Sequence, residues 1–240
     1  MARGRSLDSE CAVSVLGSFG FSVGGKPRRD LPHGSQQLLA FLALSDRAVS
    51  RTALAGTLWP EASEEHAYAS LRSALSRLSE IQRTVVRVTS QELSLADGVS
   101  VDIRDARLLA HRLLNPGADR GSDLADRAIS TLSVDLLPDW YDDWAVAEAE
   151  EWRQLRLHAL DALAERLTAS GRYSDATSAA LAAVKAEPLR ETAHAALIRV
   201  YLAEGNRAEA LAAYEQYRAM LVSELGLEPT PLLQALIKDL

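Results

Sequence analysis

The sequence predicts a mainly α protein, built as a small α+β domain followed by an all-α one. Three observations predict it. Two short β-like runs open the chain; three helices and a two-stranded hairpin follow; and from Asp102 onward the sequence reads as helix with an internal period of 34 residues. At 240 residues the chain has room for two modest hydrophobic cores.

The first β-like runs, Val13 to Leu16 and Phe19 to Val23, flank Gly17, and Gly24-Gly25 closes the second, as in a small hairpin or meander. A helix from about Ser35 carries Leu38, Leu39, Phe41, Leu42 and Leu44 on a wide apolar face. Ser50 reads as the cap of a shorter helix through Leu58, which Pro60 ends. Ser63 caps a third helix, with Glu64 and Glu65 favourably placed in its first turn and Leu71, Leu75 and Leu78 forming one buried stripe. Val85 to Thr89 and Glu92 to Leu95 then alternate in strand fashion across Ser90-Gln91. Strands, three helices and a hairpin, in that order, describe a winged helix-turn-helix over residues 12–101, preceded by a flexible N-terminus at 1–11.

Residues 102–240 form the second domain, punctuated by Pro116-Gly117, Pro138, Gly171, Pro188, Gly205 and Gly226. Gly171, Ala176 and Ala180 are matched 34 residues later by Gly205, Ala210 and Tyr214, the period of tetratricopeptide repeats. Leu163, Tyr173, Ala183 and Pro188 fall on consensus positions of the first unit, as do Leu197 and Tyr201 in the second. The small residues let paired helices approach closely. Such repeats fix a fold, not a ligand.

Charge divides the chain as the fold does. Residues 1–112 hold 14 Lys/Arg against 12 Asp/Glu, while residues 113–240 hold 12 against 21, so the net charge of −7 is concentrated in the second half. Acidity there leaves room for basic contacts in the first half. The longest apolar run, Leu38 to Leu44, is far short of a membrane span, and no apolar stretch follows Arg3 and Arg5 as in a signal peptide. One cysteine, Cys11, excludes an internal disulfide framework and fits the cytoplasm.

Nothing in the sequence points to an enzyme, a metal site or a cofactor. There is no His-x-x-x-His pair, no Gly-x-Ser-x-Gly elbow and no cysteine cluster; the five histidines lie on separate elements. The stretch from Gly20 to Lys26 has the spacing of a phosphate-binding loop. It lacks the following Ser or Thr, however, and runs into Pro27, Arg28 and Arg29, so it reads as a turn after a strand. The stronger candidate is the third helix. At 100° per residue, the arc opposite Leu71 contains His66, Ala69, Ser70, Arg72, Ser73, Ser76 and Arg77, with Glu80 at its end. Small residues permit close approach to a major groove, hydroxyls reach bases or phosphates, and arginines take guanine edges bidentately. A solvated face is the competing reading of the same residues. Arg51 and Thr52 at the second helix, with Arg83, Arg87 and Ser90 near the hairpin, are candidate phosphate contacts, whereas Glu64 and Glu65 would repel phosphate. The run from Leu136 to Trp144 holds two of the four tryptophans beside three aspartates; it reads better as a hydrophobic junction than as a partner-binding patch.

These residues resemble the Streptomyces antibiotic regulatory proteins, with their bacterial transcriptional activator domain, from about Ala12 to Leu240. The N-terminal part of the resemblance rests on Val15-Leu16-Gly17, Val49-Ser50-Arg51, Leu54 to Leu58-Trp59-Pro60 and Ala69-Ser70-Leu71-Arg72 to Leu75-Ser76-Arg77-Leu78. The C-terminal part rests on Asp135-Leu136-Leu137-Pro138 to Trp144, Glu151 to Leu160, Glu187-Pro188-Leu189-Arg190-Glu191 and Glu224-Leu225-Gly226-Leu227-Glu228-Pro229. The resemblance implies a winged helix of the response-regulator output type, then a tetratricopeptide-like activator domain. It further implies an activator that binds direct repeats in double-stranded promoter DNA as a homodimer. Its implied partner is RNA polymerase holoenzyme with its principal sigma factor, and its implied targets are secondary-metabolite gene clusters. Neither a receiver domain nor an ATPase domain accompanies these segments, so the chain looks like a short member or a fragment. Two positions depart from the family pattern: Ser79, where a second arginine is common, and Gln91-Glu92, where the wing often has Gly-Tyr. The alternative function is a tetratricopeptide adaptor whose N-terminal domain no longer reads DNA.

Overall fold

A computed structural model describes residues 11–78, 85–115, 117, 126–238 and 240. It divides into two compact units. One holds the described residues up to Asp105 together with Asp135–Trp152, the other Ala106–Val134 and Arg153–Leu240.

In the first unit, β1 (Cys11–Ser14) and β2 (Gly20–Val23) pair antiparallel, with Val13 opposite Phe21. Gly24 and Gly25 both take positive φ and turn β2 back into the two-residue strand β3 (Lys26–Pro27). The phosphate-loop spacing therefore belongs to a hairpin turn, and its proline sits on an edge strand where a missing donor costs nothing. Three helices follow: α1 (His33–Leu44), α2 (Arg51–Leu58) and α3 (Glu64–Arg77). Between α1 and α2 lies β4 (Val49–Ser50), and after α3 come β5 (Val86–Val88), β6 (Glu92–Leu95) and β7 (Val99–Val101).

Two sheets result among the described residues. One is ordered β3-β2-β1-β7, with β7 parallel to β1; the other is ordered β4-β6-β5 and entirely antiparallel. The sequence pattern anticipates the two hairpins. It does not anticipate the two-residue β3, nor β4 and β7, which are too short to show an alternation and exist because a distant strand supplies their partners. The core is built from Val13, Val15, Phe21, Leu38, Leu39, Leu42, Leu54, Leu71, Leu93 and Val101, all buried.

The Leu136–Trp144 run belongs to this unit. Leu136 bridges Leu16 and Gly17, the Gly17 amide donates to the Asp135 carbonyl at 2.7 Å, and the Leu137 amide donates to the Val15 carbonyl at 3.0 Å. Trp140 packs against Phe19, His33 and Trp144, and Trp144 meets Phe41 edge-on. Gln37 Nε2 donates to Asp142 Oδ1 at 2.8 Å. Both tryptophans thus make ring contacts within the unit, as a junction requires, while Tyr141 is exposed.

From Asp102 the described residues form the helices α4 (Asp102–Leu114), α5 (Asp126–Leu132), α6 (Asp143–Ala169), α7 (Tyr173–Ala186), α8 (Glu191–Glu204), α9 (Arg207–Leu225) and α10 (Pro231–Ile237). The second unit is an α-hairpin array. Its helices α7, α8 and α9 pack in sequence, with Ala176, Ala180, Ala183, Ala193 and Ala210 buried where the backbones come close. The 34-residue period is structural. At Gly171 (φ 74°) the Arg172 amide donates to the Leu167 carbonyl, and at Gly205 (φ 92°) the Asn206 amide donates to the Tyr201 carbonyl. Both are left-handed C-terminal caps of one design.

Candidate nucleic-acid interface

Helix α3 is held from behind and open in front. Ser63 Oγ accepts from the His66 amide and shares a hydrogen bond with His66 Nδ1 at 2.7 Å, so the side chain of His66 folds back onto the cap. Ala67, Leu71, Ala74, Leu75 and Leu78 are buried at helical spacing, and Ser35 Oγ of α1 donates to the Ala74 carbonyl at 2.9 Å. This fixes the rotation of α3 about its axis. The same period leaves Ala69, Arg72, Ser73, Ser76 and Arg77 exposed, with Ser70 half-buried. Among the described residues, the side chains of Ser70, Arg72, Ser73, Ser76 and Arg77 have no hydrogen-bond or ion-pair partner, unlike that of His66.

The expected phosphate-binding residues occupy different environments. Ser50 caps α2 by accepting from the Ala53 amide at 3.2 Å. The half-buried Arg51 reaches the β5–β6 turn, its Nε and Nη2 donating to the Thr89 carbonyl at 3.3 and 3.2 Å. Thr52 Oγ1 and Tyr68 Oη share a hydrogen bond of 2.5 Å that ties α2 to α3. Arg87, on β5, is ion-paired with Asp97 with both side chains solvated, and Ser90 is exposed at the turn itself. Arg83 lies outside the described residues, as do Ser79 and Glu80.

Two residues that carry this geometry escape a reading by periodicity. Thr89 folds the turn on itself, its Oγ1 accepting from the Gln91 and Glu92 amides at 3.3 and 2.9 Å. Its signal is a Thr-Ser-Gln sequence between two alternating runs, the composition of a hydroxyl-stabilised turn. Tyr68 sits at the edge of the buried stripe, where a phenol can keep its ring half-covered and its hydroxyl wet. Among the described residues no group of three or more His, Cys, Asp or Glu could hold a metal ion, and no helix is long and apolar enough to cross a membrane.

The model of the bacterial transcriptional activator domain family matches residues 102–240. Regulatory protein AfsR of Streptomyces coelicolor is 31% identical over 237 residues, covering 92% of this chain and 24% of the relative. Transcriptional regulatory protein EmbR of Mycobacterium tuberculosis is 26% identical over 260 residues, covering 98% and 64%. A solved structure titled Mycobacterium tuberculosis EmbR in complex with low affinity phosphopeptide has the same fold, with a TM-score of 0.73 at 24% identity over 96% of this chain and 64% of that one. The chain thus spans about a quarter of AfsR and under two thirds of EmbR. With more than half of its length matched by the family model, the chain belongs to the bacterial transcriptional activator domain family, and its likeness to AfsR and EmbR is a likeness to regulators of the Streptomyces antibiotic regulatory protein type.

Proposed function

We propose that this chain is a sequence-specific DNA-binding activator, acting in the cytoplasm, whose α3 enters the major groove of promoter DNA. On this reading it binds direct repeats as a homodimer and recruits RNA polymerase holoenzyme through its principal sigma factor. Control of a secondary-metabolite gene cluster is what the resemblance to the Streptomyces antibiotic regulatory proteins implies, and the likeness to Regulatory protein AfsR supports it. The observation that carries the reading is the exposed Arg72-Ser73-Ser76-Arg77 face on a helix whose opposite side is locked in a core. Arg72 and Arg77 stand five residues apart, about 7.5 Å along the axis, or two base-pair steps. The two serines between them leave room for the groove floor.

Each bidentate arginine–guanine contact is worth about 1–3 kcal/mol of discrimination. Replacing Arg72 and Arg77 together by Ala should therefore abolish specific promoter binding while the thermal melt stays where it is, both residues being exposed. A gel-shift titration over the promoters flanking the gene checks this. Unchanged affinity would sink the assignment of α3, and an absence of specific binding by the wild-type chain would favour the adaptor function.

A further inference from the structure

We infer that residues 49–52 form a brace that sets the recognition helix and the wing in one fixed geometry, and that Arg51 and Thr52 act as positioning residues through Thr89 and Tyr68. This inference rests on the DNA-reading role proposed for α3.

Four connections meet in this short segment. Val49 and Ser50 pair with Leu93 and Glu92 of β6. The Arg51 amide donates to the Gln91 carbonyl at 2.8 Å. The Arg51 guanidinium places two donors on the Thr89 carbonyl, in the turn between β5 and β6. One residue on, Thr52 Oγ1 is bonded to Tyr68 Oη, one position before Ala69 on α3. The start of α2 thus grips the hairpin with one residue and the recognition helix with the next.

The chemistry favours positioning over direct phosphate contact. Arg51 has already directed Nε and Nη2 at a carbonyl, and a phosphate would have to outcompete that bond and a half-buried stem. The Thr52–Tyr68 bond is exposed, so it contributes little to folding in water. Closing DNA over the surface would exclude that water and strengthen the bond. The brace should therefore matter more for binding than for stability.

Salt dependence separates the two roles. A phosphate contact contributes about 0.9 to the slope of log K against log salt, and a positioning residue contributes none. The experiment measures promoter affinity across a salt series for wild type, R51M, T52V, Y68F and T52V/Y68F, with R72A as a reference. Each brace variant should lose about threefold to tenfold in affinity with the wild-type slope retained. The double variant should lose no more than the worse single one, because both remove the same bond. Hydrogen exchange on the free protein supplies a readout independent of DNA: R51M should speed exchange of the residue 51 and Thr89 amides, which are bonded to the Gln91 and Glu92 carbonyls. A slope shallower by about 0.9 in R51M, or additive losses in T52V/Y68F, overturns the brace. Wild-type chain that binds no promoter specifically defeats the DNA reading instead, and unaltered exchange in R51M then defeats the brace as well.

Discussion

His194 is a titratable base that the helical unit buries. Its ring is buried on α8, stacked on Tyr217 at 4.2 Å between centroids. Nε2 donates to the Pro188 carbonyl at 2.9 Å, and Nδ1 has no partner among the described residues. Burial pushes its pKa below the ordinary 6.5, against weaker upward pulls from the Pro188 carbonyl and Glu191. Between the depressed folded value and 6.5 the unfolded chain binds the extra proton, so stability rises with pH in that window. The contribution is complete above pH 6.5 and lost as pH falls towards the folded value. Melts between pH 7.5 and pH 5 should show wild type losing more stability than His194→Gln, which keeps a donor for Pro188; parallel profiles would refute it. His194 was visible in the sequence only as one scattered histidine, because its partners come from α9 and from a turn. The outward residues of α3 were legible for the opposite reason: exposure at Arg72, Ser73, Ser76 and Arg77 follows the helical period from Leu71 alone. Arg51 shows where that logic stops, since its acceptor is 38 residues away.

Helix ends account for the repeat. The caps at Gly171 and Gly205 need a left-handed residue, and nothing lies within 4 Å of where a Cβ would stand at either. Alanine would therefore meet no clash, and its cost is conformational, about 1–2 kcal/mol at each position. Gly171→Ala and Gly205→Ala should each lower the urea midpoint with an unchanged m-value, by similar amounts and additively, since the caps share no partner. A neutral result at one cap alone would mean that the two ends are not equivalent. This period was legible because cap and packing residues recur locally. The loop between α7 and α8 was legible only as a motif, Glu187-Pro188-Leu189-Arg190-Glu191, whose work is long-range. Glu187 pairs with Arg153, Arg190 with Asp161 and His158, and Glu191 receives Thr230, while Tyr217 Oη donates to the Leu189 carbonyl. These polar side chains are committed to scaffold, so the motif marks the fold and not a ligand.

At the scale of the whole molecule, chain order and contact order differ. The family model begins at residue 102, yet Asp135–Trp152 lies in the same compact unit as the strands and α1–α3. The link is substantial. Leu136 and Leu137 are buried, on the order of 3–6 kcal/mol of hydrophobic stabilisation for the pair, against a typical net stability of about 5–15 kcal/mol for a domain. Leu137 holds φ at 41°, a conformation that costs an L-residue about 1–2 kcal/mol and persists only where bonds and burial on both sides enforce it. Asp102 adds a second tie, its carboxylate accepting from the Val15 and Leu16 amides at 2.9 and 3.1 Å. A fragment ending at residue 101 forfeits both ties and uncovers Phe19 and Phe41, the rings that Trp140 and Trp144 cover. Such a fragment should melt well below the intact chain and bind a hydrophobic dye in its folded state. Adding a peptide of residues 135–152 should raise its melting temperature in a concentration-dependent way, because a segment that binds only the folded form stabilises it by mass action. A fragment of residues 11–101 that melts with the intact chain, or ignores the peptide, would show that the strands and three helices carry their own core.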